Sequence, residues 1–375
     1  MRDIHAGITG KVDLTEREKG GYAFIVNADA ETLSYGDWVV PETLGTLEVI
    51  GNGTIDSDFS GVAAAGTLRF SDGLTADVKA LSYDIEESQV AARFNCDASL
   101  TTLGLSFGYG DFWGDARAAG GFTVDNWQYV EIDELHITSD SLGYGDYSLP
   151  YGKELVVDAP MRFDIAAVSL DIEPLQMLLG ESTKLQSDEI HISTQSIDVP
   201  TPIYFESDFS PLVAKGFLAA AAGKLKVVVE GFSYGTAGVL GKITYNCDAP
   251  QLTLPDGLAD IQGLLADGTV MLHPELDGKG DVQINELLVA GTTVKKTDGD
   301  IIFADNSVVL EGVNIEIFGG EVIARAELRP FDTGFPISFS GEAKHIDLGL
   351  FTNEFEIPSL LLTGRANGTF AVGLA

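Results

Sequence analysis

Alternation of apolar and polar residues is the dominant pattern along this chain. In Glu321–Leu328, the apolar positions are Val322, Ala324, Ala326 and Leu328, and most of the others are charged. The same period of two recurs along most of the chain, for example in 74–80, 161–165, 243–247 and 313–317. A period of two is typical of β-strands with one dry face and one wet face.

Short motifs rich in glycine and aspartate separate many of these segments and favour tight hairpin turns. They are Gly51-Asn52-Gly53, Ser71-Asp72-Gly73, Pro255-Asp256-Gly257, Asp277-Gly278-Lys279-Gly280, Thr297-Asp298-Gly299 and Gly319-Gly320. The sequence therefore predicts a mainly β protein built as a long antiparallel meander. Such a sheet must close as a barrel, pack as a sandwich or curl into a trough.

Helical signals are few, and the sequence predicts two or three short helices, at 174–185, 211–222 and 258–265. The second has the clearest start, because Ser210 precedes a proline at the first helical position. We expect residues 1–375 to form one continuous, repeat-like segment. A short repeat supports this expectation, since Asn95-Cys96-Asp97-Ala98 recurs as Asn246-Cys247-Asp248-Ala249.

Charge narrows the range of partners. The chain has 22 Lys and Arg residues against 57 Asp and Glu residues, a formal net charge of −35. Contacts to nucleic acid phosphates or to an anionic membrane surface need cations, so neither partner is expected. Hydrophobic residues make up 45% of the chain, which excludes a disordered acidic tail. Any contact with lipid must therefore use apolar surface.

No motif in the sequence indicates catalysis, a metal or a cofactor, so we expect a protein that is not an enzyme. The five histidines are scattered, and His136 and His191 are predicted to lie on polar strand faces. The acids of Asp56-Ser57-Asp58 are interpreted as solvated turn residues and not as a calcium loop. Cys96 and Cys247 are 151 residues apart, and two free thiols are favoured over a disulfide.

Many candidate inward positions carry small residues: Ala324, Ala326, Ala76, Ala80, Gly51 and Gly53. Small residues leave apolar volume that suits an acyl chain, and they also fit a tightly curved sheet, so the pattern alone supports both readings.

The last part of the chain resembles a known family. Val313–Val322 is a strand, a Gly319-Gly320 turn and a returning strand, and Ile357–Phe370 contains a leucine-rich run followed by Thr-Gly-x-x-x-Gly with Gly364 and Gly368. In this order, over 265–375, the motifs resemble the C-terminal region of AsmA-like envelope proteins of the YdbH/TamB type. Because those proteins continue at both ends, with an inner-membrane anchor at the start, we expect this chain to be a fragment.

The resemblance implies a taco-like β-groove that carries phospholipid between the inner and outer membranes of diderm bacteria. It implies a location in the periplasm or cell envelope, an outer-membrane or envelope protein partner, and membrane contact through ends missing from this chain. The residues that we expect to line the groove are Val313, Ile315, Ile317, Val322, Ala324, Ala326, Leu328, Ile337 and Phe339. The alternatives are an acidic structural or adhesive protein with a filled core and a β-helical enzyme acting on polysaccharides.

Overall fold

The computed structural model describes most of the chain. The described residues are 4–17, 21–35, 38–39, 44–84, 86–106, 111–139, 141–144, 147–148, 154–214, 216, 218–236, 238–255, 259–272, 276–289, 292–329, 336–354 and 363–374. They form two compact units, one made of Met1–Glu181 with Leu185–Thr194 and the other of Ser182–Lys184 with Gln195–Ala375. We call these unit 1 and unit 2.

Unit 1 consists almost entirely of strands. Its elements are β1 (Ile4–Glu16), β2 (Tyr22–Tyr35), β3 (Trp38–Val39), β4 (Leu47–Ile55), β5 (Gly61–Phe70), β6 (Leu74–Asp84), β7 (Gln89–Ser99), α1 (Leu100–Ser106), β8 (Phe112–Trp113), β9 (Asp115–Asp125), β10 (Tyr129–Ser139), β11 (Gly143–Tyr144), β12 (Tyr147–Ser148), β13 (Leu155–Asp158), β14 (Met161–Asp164), β15 (Ser169–Ile172) and β16 (Leu175–Leu179). Next, β17 (Thr183–Ser187) has residues in both units, and β18 (Ile190–Ile192) is the last strand of unit 1.

Unit 2 has longer strands and two of the helices. Its elements are β19 (Ile197–Val199), β20 (Ile203–Asp208), α2 (Ser210–Ala214), β21 (Ala220–Gly235), β22 (Gly238–Thr253), β23 (Ala259–Leu272), β24 (Leu276–Val289), β25 (Thr292–Ala304), β26 (Ser307–Ile317), β27 (Gly320–Leu328), β28 (Ile337–Asp347), α3 (Leu348–Glu354) and β29 (Arg365–Leu374).

The strands pair mainly with their sequence neighbours, and the pairs among the described strands are antiparallel. In unit 1 the order β1, β2, β4, β5, β6, β7, β9, β10 is continuous. In unit 2 the order runs without interruption from β21 to β29. Of the described strands, 26 belong to one sheet, and β8, β11 and β12 form a small second sheet. The predicted mainly β fold, a long antiparallel meander with few and short helices, is confirmed, although the positions of the helices differ from those predicted.

Prolines break the strands at the end of unit 1. There β10 pairs with both β13 and β14, which are separated by Ala159 and Pro160. The next two strands, β15 and β16, are separated by Glu173 and Pro174. Of these, β15 pairs with β14 and β16 pairs with β13. A proline cannot donate to a ladder, so each long strand becomes two short ones.

Two predicted helices are wrong, and a third is shorter than predicted. Segment 174–185 contains β16 and the start of β17, and 258–265 falls within β23, apart from the undescribed residue 258. Their Leu, Ile and Ala residues suit a helix, but pairing with neighbouring strands decides the outcome. In 211–222 the helix α2 ends at Ala214, and β21 begins at Ala220.

Three predicted turns are also wrong, because their glycines lie inside strands. Gly51-Asn52-Gly53 is in β4, Asp277–Gly280 in β24 and Thr297-Asp298-Gly299 in β25. By contrast, Ser71–Gly73 and the Gly319-Gly320 motif do mark turns. In the second of these, Phe318 and Gly319 both have positive φ angles, of 48° and 67°. This is the requirement of a two-residue hairpin turn of type I′.

Candidate functional site

The candidate site in unit 2 is a broad apolar face formed by alternate residues of neighbouring strands. Residues directly opposite one another in an antiparallel pair present their side chains on the same side of the sheet. Val313 is opposite Ala324, which is opposite Gly341 on the next strand, and Gly341 is opposite Phe370. This row therefore crosses four strands on one face.

The residues that the sequence predicts as groove lining lie together on this face. Ile315 is opposite Val322, and Ile317 precedes the turn to the same strand. The remaining pairs bring Ala326 opposite Phe339 and the Cα of Leu328 opposite that of Ile337. The structure thus gathers the predicted residues of β26 and β27 and Phe339 on one face, which extends across the sheet to Ile243, Val270 and Phe205.

Most side chains of this face are only partly covered. Val313 is 8% exposed, whereas Phe339 and Phe370, further along the meander, are 41% and 42% exposed. Among the described residues, the buried hydrophobic side chains belong to Ala, Val, Leu and Ile, and no aromatic side chain is fully buried. A filled sandwich core would bury its large side chains, so these apolar faces lack that character within the described residues.

Unit 1 has an apolar face of the same kind. One row across it consists of residues opposite one another on six successive strands: Val26, Gly51, Gly66, Val78, Phe94 and Gly120. At the β1 edge the face ends in Val12 and Leu14, which are more than half exposed. Ala76 lies on this face, opposite Leu68 and Cys96, but Ala80 lies at an irregularity in β6 and is exposed.

A recess lies over the facing glycines Gly51 and Gly66. It has a volume of about 180 Å³, and its walls include Phe24, Val49, Leu68, Val78 and Leu81. The two backbones approach closely, since a methyl group on Gly66 would lie 2.9 Å from the Cα of Gly51. The absence of two opposed side chains therefore creates the recess, and the larger residues around it form its rim.

Unit 2 has an equivalent pair of facing glycines, Gly268 and Gly280, but a side chain covers it. The hydroxyl group of Tyr245, on the strand before them, lies against both. The ring packs edge-on against Phe303, with 5.9 Å between ring centroids. The hydroxyl is buried and has no hydrogen-bond partner among the described residues. Burial raises the pKa of Tyr245, and the nearby charges of Asp267 and Asp281 raise it further.

The opposite face of each unit is polar and carries cross-strand ion pairs. They include Arg117–Asp97 at 3.5 Å, Arg162–Glu131 at 3.5 Å and Lys242–Glu230 at 3.0 Å. The histidines predicted for polar faces also lie there, with His136 paired to Asp158 at 2.6 Å and His191 paired to Asp171. The alternation in the sequence therefore predicted correctly that these charged residues and histidines lie on the polar face of the sheet.

One turn edge of unit 1 is strongly acidic. The turns after β4, β6 and β9 bear six exposed carboxylates, which we call the acidic edge: Asp56, Asp58, Asp84, Glu86, Glu87 and Asp125. The sequence of these turns contains no lysine or arginine. Two of the acids close their own turns, because Asp58 accepts hydrogen bonds from Ser60 and Asp84 accepts from the backbone of Glu86 and Glu87. The bonds from Ser60 lower the pKa of Asp58.

Both cysteines are free and half-buried on the apolar faces. Cys96 is opposite Ala76 and Ala118, and Cys247 is opposite Leu225 and Ala266. The repeated Asn-Cys-Asp-Ala motif thus lies in a strand in both units, with its cysteine on the apolar side. Burial raises the pKa of each thiol, with a smaller contribution from the aspartate that follows it.

The glycines of the C-terminal motif have different roles. Gly364 has a φ of +121° just before β29, whereas Gly368 is inside β29 with open space beside it. The leucine-rich run, which lies between α3 and Gly364, falls outside the described residues.

Among the residues that the structure describes, no group of three or more His, Cys, Asp or Glu side chains is placed to hold a metal ion. No helix in this part of the chain is long and apolar enough to cross a membrane.

Comparison with known proteins gives no assignment. No family model matches the chain. No curated protein and no solved structure matches it either. The resemblance of residues 265–375 to AsmA-like proteins therefore stays a prediction.

The sequence analysis did not predict the recess over Gly51 and Gly66, or that the side chain of Tyr245 covers Gly268 and Gly280. The available signal was the glycine inside an alternating segment, which indicates close approach of another backbone or group. At Gly51 and Gly280 the same signal also favours a turn, and the sequence does not show the register that places their partners 15 and 12 residues away.

Proposed function

We propose that this protein binds the acyl chains of phospholipids along the apolar faces of its units and acts as a lipid conduit without catalysis. The observation that carries the proposal is the continuity of the apolar rows across successive strands, with large side chains such as Phe339 and Phe370 left partly exposed. An acyl chain would cover these side chains, and each methylene removed from water contributes about 0.8 kcal/mol.

The polar face supports the same proposal. It carries solvent-exposed cross-strand ion pairs, so each unit has one polar, hydrated face and one apolar face. The resemblance of residues 265–375 adds the wider role: transport between the inner and outer membranes of a diderm bacterium, in the periplasm, with an outer-membrane or envelope partner.

The test is mass-spectrometric lipid analysis of the protein purified from a diderm host, beside a mock purification. We expect phospholipid to co-purify in roughly stoichiometric amounts or more. Its absence from a folded, strand-rich sample would reject the proposal and favour a structural or adhesive protein.

A pair of variants on β27 locates the lipid. Ala324→Arg places a cation on the apolar face and should lower the amount of bound lipid. Ile323→Arg adds the same charge to the adjacent, exposed position on the polar face and should leave the lipid unchanged. Equal lipid in both folded variants would remove this strand from the lining.

A further inference from the structure

The recess over Gly51 and Gly66 and the acidic edge lie along the same strands of unit 1. Gly51 and Asp56 are five residues apart, and a strand rises about 3.3 Å per residue, so the separation is about 16 Å. One leaflet of a bilayer has a hydrocarbon thickness of about 15 Å, half of the ~30 Å core. A single acyl chain thus matches the path from the recess to the acidic edge.

Apolar side chains occupy the path between these two points. The Phe24 ring lies against Gly53, and Tyr22 is opposite Ile55 at the end of β4. Ile55 is in turn opposite Val62. A chain laid along β4 would therefore remain in contact with apolar groups until it reaches the turn.

Two aromatic rings lie at the acidic end of the path. The rings of Tyr22 and Phe59 have centroids 5.8 Å apart, and Phe59, in the turn with Asp56 and Asp58, is 55% exposed. Aromatic faces attract ammonium groups, and pairs of such rings bind quaternary ammonium ligands. Glu16, opposite Tyr22, and Asp56 and Asp58, in the turn of Phe59, outnumber Arg17 at this place, so the local charge favours a cation over an anion.

We infer that this face binds a lipid with an ammonium headgroup. The recess over Gly51 and Gly66 holds the end of its acyl chain, and Tyr22, Phe59 and the neighbouring carboxylates bind the headgroup at the acidic edge. The ligand class is an amphiphile with an ammonium head, and lipids with a purely anionic head are disfavoured. This inference rests on the proposed function and adds a headgroup preference and a place for the chain end.

The experiment measures binding of sixteen-carbon lysophosphatidylcholine and lysophosphatidylglycerol to the full chain by titration calorimetry, below their micelle concentrations. At low salt we expect the choline lipid to bind roughly fivefold more tightly, the ratio given by one favourable charge contact in water. Salt should reduce this ratio, because exposed charges are screened.

Variants test whether the preference for the choline lipid comes from the acidic edge and the recess. Phe59→Leu keeps an apolar side chain and removes the ring, and it should weaken choline lipid binding while leaving the glycerol lipid unchanged. Asp56→Asn with Asp84→Asn should reduce the preference. Gly51→Val fills the recess and should weaken both lipids by roughly tenfold, the effect of displacing two or so methylenes.

Controls separate binding from folding. Ala65→Val adds apolar volume to the polar face beside Gly66 and should change neither affinity. If Gly51→Val fails to fold, Gly51→Ala is the milder test, since its methyl group would lie 3.2 Å from the backbone oxygen of Ala65.

The outcomes distinguish the two proposals. Failure of both lipids to bind would reject the proposed function together with this inference. Equal binding of both lipids, or a choline preference that survives Phe59→Leu and the aspartate changes, would overturn the inference and leave the proposed function standing. Unchanged affinity in folded Gly51→Val would remove the recess from the path.

Discussion

The hydroxyl group of Tyr245 lies against the backbone of Gly280, two strands away across the apolar face of unit 2. The intervening residue of β23 is Gly268, which has no side chain, so the ring of Tyr245 reaches across it to Gly280. The cost of this arrangement is a buried hydroxyl without a partner.

Removing that hydroxyl should stabilise the protein. A buried donor without a partner costs about 1–3 kcal/mol, and phenylalanine would keep the ring over the glycines. We therefore expect Tyr245→Phe to raise the free energy of unfolding by roughly 1 kcal/mol in a denaturant titration. Tyr204→Phe, at an exposed tyrosine on the polar face, is the control and should have no effect. A loss of stability in Tyr245→Phe would show that the hydroxyl is satisfied.

The two thiols should make stability fall at alkaline pH. Burial raises the pKa of Cys96 and Cys247 above the ordinary value of 9.0. Above pH 9 the unfolded thiols lose protons that the folded thiols still hold, so the folded state binds more protons and unfolding becomes more favourable as pH rises. Replacing both cysteines with alanine should flatten the decline of stability above pH 9. An identical decline in the variant would contradict the raised pKa values.

Like charges face one another on the polar side of unit 2. Asp267, Asp281, Asp300 and Glu311 are opposite one another on four successive strands, and all are exposed. Like charges directly opposite in a sheet are destabilising.

Neutralising the middle of this row should stabilise the sheet. We expect Asp281→Asn to raise the free energy of unfolding by roughly 0.5 kcal/mol at low salt, and the gain should shrink at high salt because exposed charges are screened. Asp277→Asn makes the same charge change on β24 opposite Met271, and it should have a smaller effect. An equal increase in the free energy of unfolding in both variants would show that repulsion between the facing acids does not destabilise the sheet.

The sequence predicted the two chemically distinct strand faces well, because alternation is a local property. His136 and Phe339 could be assigned to their faces from their immediate neighbours. The helices were harder to predict, although local signals existed at two of them. Ser99 and Asp347 accept hydrogen bonds from backbone amides in the first turns of α1 and α3, as N-cap residues do.

The recess and the Tyr245 cover could not be predicted, because they depend on register. Whether Gly51 faces another glycine is decided by the length of the turn between β4 and β5, which sets the register of this strand pair. A one-residue slip would move every side chain to the other face. The local sequence therefore predicts whether each face is apolar or polar, but it does not predict where recesses form on that face.

Glycines inside strands should consequently fall into two groups when replaced by alanine. A methyl group on Gly280 would meet the backbone oxygen of Asp267 and the hydroxyl of Tyr245, so Gly280→Ala should destabilise the protein by roughly 1–3 kcal/mol, the typical cost of overpacking. Gly368 has open space beside it, and Gly368→Ala should be neutral or stabilise the protein by up to about 1 kcal/mol, because alanine loses less chain entropy on folding. Thermal or denaturant unfolding of the two variants under identical conditions measures the contrast. Equal stability of Gly280→Ala and Gly368→Ala would show that the close approach of Tyr245 and β23 to Gly280 does not constrain the sheet.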